Sequence, residues 1–315
     1  MFAKKSLAAA ALLAAVGAHA QSTVTVYGNV EAAFGAFEDD YTHRVNKVES
    51  NVLTGSFLGF KGQEDLGGGL KAFFKLESTI GVDTGAVAGN FWGRTSEIGL
   101  TNAYGTLTAG NSLSLSALAN QAQSPFSIFG RLNGLQNVAA DTGFGAVQAN
   151  TLTLSSANYS GFSAAAQYGA SEVHGADSKY AAALNYAVGP VAAGFTYTND
   201  DNADRTLWQL GGSYDFGSFK AFAQIGQVEV TGPNDTDYFQ LGVSAPVTAA
   251  GTVLASWTHA KTDNDGKADQ LSVAYDHALS KRTGVFGGVM YEQFKPESGD
   301  SHSGLSLAVG LHHAF

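Results

Sequence analysis

The sequence contains no cysteine, which excludes a disulfide framework and any thiolate metal centre. Charge is also scarce. Asp, Glu, Lys and Arg make up 14% of the chain, where a soluble domain carries about 25%. Basic charge is the scarcer sign, with 17 Lys and Arg against 27 Asp and Glu and a formal net charge of −10. Nucleic acid is therefore an unsuitable partner, because binding phosphates needs a basic surface. Long apolar runs are missing as well. Beyond residue 20 nothing reaches the roughly 18 apolar residues of a spanning helix, and mean hydropathy is only −0.02. Signatures of catalysis are absent: no Gly-x-Ser-x-Gly, no His-Glu-x-x-His and no Gly-rich loop opening a helix. The histidines are scattered, and His312 and His313, adjacent in a strand-like stretch, point to opposite faces. Asp263-Asn264-Asp265-Gly266 imitates the start of a calcium loop but lacks its later ligands. No cofactor and no metal is implied.

What is present begins with a separate leader. Lys4 and Lys5 open it, an apolar stretch of small residues and leucines follows, and Ala18-His19-Ala20 forms a small-x-small cleavage site. Residues 1–20 read as a secretory signal peptide and 21–315 as the exported protein. Cleavage removes two lysines and no acid, so the mature chain is more negative still.

The rest alternates. Val24, Val26, Val30, Ala32 and Phe34 share one parity and Thr25, Asn29 and Glu31 the other. The same holds for Leu70, Ala72, Phe74 and Leu76 against Lys71, Lys75 and Glu77, and for Leu305, Leu307, Val309 and Leu311 against Ser306, Gly310 and His312. A period of two with one apolar face is the mark of a half-buried strand. No segment after the leader shows a convincing helical period. Short connections, at 65–69, 102–105, 189–190, 217–218 and 280–283, alternate with longer ones at 38–50, 81–90, 113–143, 171–178, 200–204, 231–236, 263–267 and 296–302. About sixteen strands lie between them.

A secreted sandwich would hide the apolar faces between two sheets; a closed barrel would turn them to lipid. The second face is too polar for a sandwich core and too poor in charge for an ordinary solvated face, so a wet interior suits it better. An even strand number with short turns at one end and long loops at the other is the outer-membrane pattern, and closure removes the unpaired edges that lipid does not tolerate. Aromatic residues near strand ends (Tyr27, Phe34, Phe37, Trp92, Tyr104, Tyr168, Tyr197, Tyr291, Phe315) suggest interfacial girdles. The expected fold is all-β, a sixteen-stranded antiparallel transmembrane barrel. A barrel adhesin and, less favoured, a barrel hydrolase are the competing functions.

At this point particular motifs carry a resemblance. FLGFKGQEDLGGGLKAFFKLES (57–78), YDHALSKRT (275–283), the closing VGLHHAF (309–315) and, more weakly, FWGRTSEIGL with YGTLTAGN (91–111) resemble the general porins of β-proteobacteria. The resemblance implies a homotrimeric channel of the outer membrane that passes small hydrophilic solutes, with a third loop folded into the pore. It also implies contact with membrane lipid and lipopolysaccharide, and recognition of the terminal Phe315 by the outer-membrane insertion machinery.

The third loop then falls at 113–143, the longest connection. Pro125, Phe126, Ile128 and Phe129 are too apolar for a loop in water and should pack against the inner wall. Arg131 and Asp141 are its candidate pore-facing charges. Many members of the family favour anions through wall arginines, and here this chain departs: Phe57 and Asn111 stand where basic residues are common. Arg94 alone matches a family arginine, although its parity is that of outward Ile98 and Leu100. Lys61, Lys71 and Lys75 share parity with the polar face and are expected to line the lumen. These features imply weak ion selectivity.

Overall fold

The computed structural model describes residues 23–38, 43–138, 146–172, 178–232 and 234–315. The leader and Asp141 lie outside the described residues.

Period-two stretches become strands throughout. In chain order they are β1 (Thr23–Phe37), β2 (Val45–Glu49), β3 (Phe57–Gly67), β4 (Leu70–Thr79), β5 (Thr95–Asn102), β6 (Gly105–Leu113), β7 (Val147–Ser156), β8 (Phe162–Gly169) and β9 (Lys179–Val188). Then come β10 (Val191–Asp200), β11 (Arg205–Asp215), β12 (Lys220–Val230), β13 (Thr236–Pro246), β14 (Gly251–Thr262), β15 (Gly266–Ala278), β16 (Thr283–Pro296) and β17 (His302–Ala314). All pair antiparallel in one sheet that closes where β1 meets β17, from Asn29 opposite Ala314 to Ala36 opposite Leu307. Sixteen strands form the barrel wall. β2 is an addition inside the first long connection. β1 pairs with β3 up to Asn29 and with β2 from Ala33 onward.

The two faces separate as the alternation requires. Leu210, Ile225, Leu241 and Leu271 are exposed on the outside, while Gln209, Gln224, Gln240 and Gln270 are buried on the inside. Exposed apolar residues beside buried amides invert the soluble pattern and fit a wall between lipid and an interior of polar groups. Phe34, Tyr104, Tyr168, Tyr197, Tyr291 and Phe315 are exposed, as girdle residues should be. Tyr27 and Phe37 are not girdle residues. Tyr27 bonds inward to Glu77, and Phe37 is buried in an interior cluster. Both share parity with Asn29 and Glu31, and parity overrides position near a strand end.

Candidate functional site

The interior is organised by the long connection between β6 and β7, which is not irregular throughout. It contains α1 (Leu115–Gln123) and α2 (Gly134–Val138). Ser114 caps α1, its hydroxyl accepting from the amide of Ala117 at 3.1 Å. No helical period announces α1 because its buried side mixes apolar and polar residues. Leu115, Ala117 and Ala119 are buried, but so are Ser116, Asn120 and Gln123, whereas Leu118 is exposed.

The buried amides follow from what α1 rests on. Gln123 donates to the Gly194 carbonyl of β10 at 3.1 Å and accepts from Gln209 of β11 at 3.1 Å. Gln209 donates to Gln224 and Gln224 to Gln240, each at 2.8 Å, and Gln240 to Thr258 at 2.9 Å. This row of amides runs across β11–β13 and ends on a hydroxyl of β14. Below it Asn133 donates to the Phe126 carbonyl at 3.2 Å, and Asn137 donates to Gln270 of β15 at 2.7 Å. All of these bonds join neutral groups, and all but that of the exposed Asn137 are buried, where leaving a partner unmet costs about 1–3 kcal/mol. The glutamines were legible in principle, as one uncharged polar residue at mid-strand on the inward parity of β11, β12, β13 and β15.

Apolar contacts complete the docking. Phe126 and Leu132 join a buried cluster with Ala33 and Phe37 of β1, Val52 and Leu53 of the first connection, Ala274, Phe286, Met290 and Ala308. Ile128 is equally buried. Leu135 of α2 packs with Leu207, Val228, Tyr238 and Ala260 of the facing wall. Pro125 lies against Gly242, where a Cβ would stand 2.6 Å from the proline Cδ, so glycine is what lets the segment approach β13. Phe126 and Ile128 are buried, and Pro125 touches the wall at Gly242.

The opposite wall, β1–β6, meets the segment with charges. Arg94 sits in the bend before β5, so strand parity does not bind it. Its Nε lies 3.2 Å from Oε2 of Glu77 on β4, and its guanidinium is stacked 4.4 Å from the Phe57 ring and 3.6 Å from the Phe129 ring. Glu77 also accepts from the Tyr27 hydroxyl at 2.6 Å. The inserted Phe129, the wall Phe57 and Arg94 thus make one stack. Asn111 is not a bare wall position. It donates to the carbonyls of Trp92 and Gly93, at 3.4 and 3.1 Å, and so holds the stretch that carries Arg94.

The other predicted cations are partly spent. Lys75 pairs with Glu97 at 3.2 Å. Arg131 pairs with Glu49 of β2 at 3.3 Å. Lys61 lies over the Tyr27 ring, 4.5 Å from its centroid, and Lys71 is exposed near the short turn of β3 and β4. Neither Lys61 nor Lys71 makes an ion pair among the described residues. Sequence reading missed a further charged group on the inner face at the long-loop end, where Asp200 lies 3.2 Å from Lys179 and 3.8 Å from Arg205.

A family model described as Gram-negative porin matches residues 6–296. The chain belongs to the Gram-negative porin family. Among relatives of this porin, outer membrane porin protein 32 of Delftia acidovorans is 33% identical, the match covering 99% of this chain and all of that one. An outer membrane porin of Bordetella pertussis is 30% identical with the same coverage. The fold superposes on an anion-selective porin from Comamonas acidovorans with a TM-score of 0.77 at 26% identity, over 94% of this chain and all of the other. The barrel accordingly forms an outer-membrane channel for passive diffusion of solutes.

The porin seam carries the last predicted residue. Gly28 donates to the Phe315 carbonyl at 3.2 Å and Phe315 donates back at 3.1 Å, so the terminal residue is hydrogen-bonded to β1. The Phe315 ring covers Gly28, while part of it stays exposed on the outside.

Proposed function

We propose that the segment between β6 and β7 narrows the channel and sets its size limit, and that the channel is only weakly ion-selective. The carrying observation is the pairing of charges around that segment: Arg94 with Glu77, Arg131 with Glu49 and Lys75 with Glu97. A paired charge presents a dipole, whose field on a passing ion is far weaker than that of a lone charge. Ion preference is set within about one Debye length, roughly 8 Å at physiological salt. Lys61 and Lys71 on the wall favour anions. The acid-rich outer loops and the net charge favour cations. Small hydrophilic solutes cross without a reaction. Planar-bilayer recording in a salt gradient tests this: the reversal potential stays near zero, and a strong preference for either sign refutes it.

Assembly belongs to the same proposal. The chain is exported through removal of residues 1–20, inserted by the outer-membrane machinery through its Phe315 end, and sits as a homotrimer among lipid and lipopolysaccharide. The related fold of Vibrio cholerae OmpT, solved in a trimer form, supports the barrel geometry this requires, at 15% identity. Deleting Phe315 lowers the yield of heat-modifiable oligomer in outer-membrane fractions; unchanged yield counts against the role of this residue.

A further inference from the structure

Between Asn29 and Ala33, β1 has no strand partner on the side away from β17, because β3 ends its pairing at Asn29 and β2 starts at Ala33. The chain from 50 to 56 leaves the sheet there and curls inward. Glu31 faces it, 1% exposed. One carboxylate oxygen accepts from the amides of Val52 at 2.5 Å and Leu53 at 3.0 Å. The other accepts from the amide of Thr54 at 2.5 Å and its hydroxyl at 2.9 Å. Four donors converge on one carboxylate, so the curl is a small anion-binding nest that the protein fills with its own side chain. Asn29 adds a bond to the Thr54 hydroxyl at 2.9 Å, and the Ser56 hydroxyl accepts from the Glu31 amide at 2.9 Å.

The other edge of the curl grips the inserted segment. The carbonyls of Asn51 and Val52 accept from the amides of Arg131 at 2.8 Å and Leu132 at 3.1 Å. Val52 and Leu53 are buried in the same cluster as Phe126 and Leu132. A continuous path therefore runs from the Glu31 carboxylate through three consecutive amides to the segment that limits the pore. Neither Arg94 nor the glutamine row belongs to it.

We propose that Glu31 is a positioning residue for passage: by filling the nest at 52–54 it holds the curl, and through the curl it fixes the inserted segment against β1. This rests on the proposed narrowing for its effect on flow, but not for its effect on docking, and the two are measured separately. The natural lack of cysteine allows one thiol to be introduced by Leu132→Cys, at a buried site, and its labelling by a membrane-impermeant reagent to be timed in proteoliposomes. Adding Glu31→Ala speeds labelling about tenfold, as expected for losing a charge-assisted bond that holds the closed form. It also raises open-channel current noise. Formate, substituted for chloride at equal ionic strength, reoccupies the nest and reverses both effects, while leaving the Glu31 channel unaltered. A passive structural defect would not respond to formate.

Unchanged labelling in correctly assembled Glu31→Ala protein overturns the proposal, as does faster labelling that formate leaves untouched. If Glu31→Ala does not assemble, Thr54→Val leaves the residues of β1 unchanged and removes only the hydroxyl that donates to Glu31 and accepts from Asn29. It accelerates labelling to a smaller degree, and no acceleration overturns the proposal equally. Faster labelling at unchanged mean conductance leaves Glu31 in its role and sinks the narrowing instead.

Discussion

The two sides of the inner wall hold the same segment by different chemistry. Strands β10–β15 offer neutral amides and hydroxyls, with Gln209, Gln224, Gln240 and Gln270 bonded to one another or to Gln123 and Asn137. Strands β1–β5 and the curl offer carboxylates and guanidinium groups, with Glu31, Glu49 and Glu77 placed against backbone amides, Arg131 and Arg94. Amide rows fix position without creating a field in the channel. Ion pairs fix position too, but a small imbalance in them is felt by each passing ion. Docking and the proposed selectivity are thus separable, and around the inserted segment the proposal assigns both to the charged side.

The strongest challenge to this division is removal of the shared partner. Deleting 123–137 takes away Phe126, Ile128, Phe129 and Arg131 together and should raise single-channel conductance severalfold while a heat-modifiable barrel persists. Unchanged conductance and solute cut-off would show that the segment does not limit flow. Next comes Glu77→Gln, which leaves Arg94 without its counter-ion. A lone charge about 7 Å from an ion in water contributes about 0.6 kcal/mol, so the anion-to-cation ratio should rise severalfold, most in dilute salt. A selectivity that stays put would mean that Arg94 does not face the ion path. Phe57→Arg adds a charge beside Arg94 and should shift the reversal potential in the same direction, though less, because Glu77 then shares two cations. The smallest effect on flow belongs to the neutral side. Gln224→Ala should lower the temperature of unfolding in detergent, at a cost of about 1–3 kcal/mol, and leave the reversal potential alone. A clear change of selectivity there would dissolve the contrast.

Much of the barrel was legible because lipid and lumen impose opposite demands on alternate residues. The connections at 65–69, 102–105 and 189–190 fall at the turns joining β3 to β4, β5 to β6 and β9 to β10. The apolar core of the inserted segment was legible for the same reason, since Phe126 and Ile128 had no other place to go. Three things were not. Helix α1 buries Ser116, Asn120 and Gln123 together with Leu115, Ala117 and Ala119 against a partly polar wall, so the usual contrast between faces is blurred. The ion pairs join residues far apart in the chain, such as Arg131 and Glu49, separated by 82 positions, and pattern along a strand says nothing of them. Arg94 escaped parity because a bend, not a strand, carries it, and Glu77, 17 positions earlier, holds it inward.

Placement of the inserted segment also says something about time. The segment is synthesised after β1 but before any of the strands whose glutamines receive it, and its apolar cluster draws on β1, β15, β16 and β17 at once. Its partners at 49–57 and Arg94 precede it in the chain, but the β15–β17 part of its apolar cluster and the whole glutamine row come from strands made later. The full cluster around Phe126 thus needs the same late strands that close the barrel between Gly28 and Phe315. Pairings of such long range are reached slowly, so the last of the segment's contacts form only as the barrel closes.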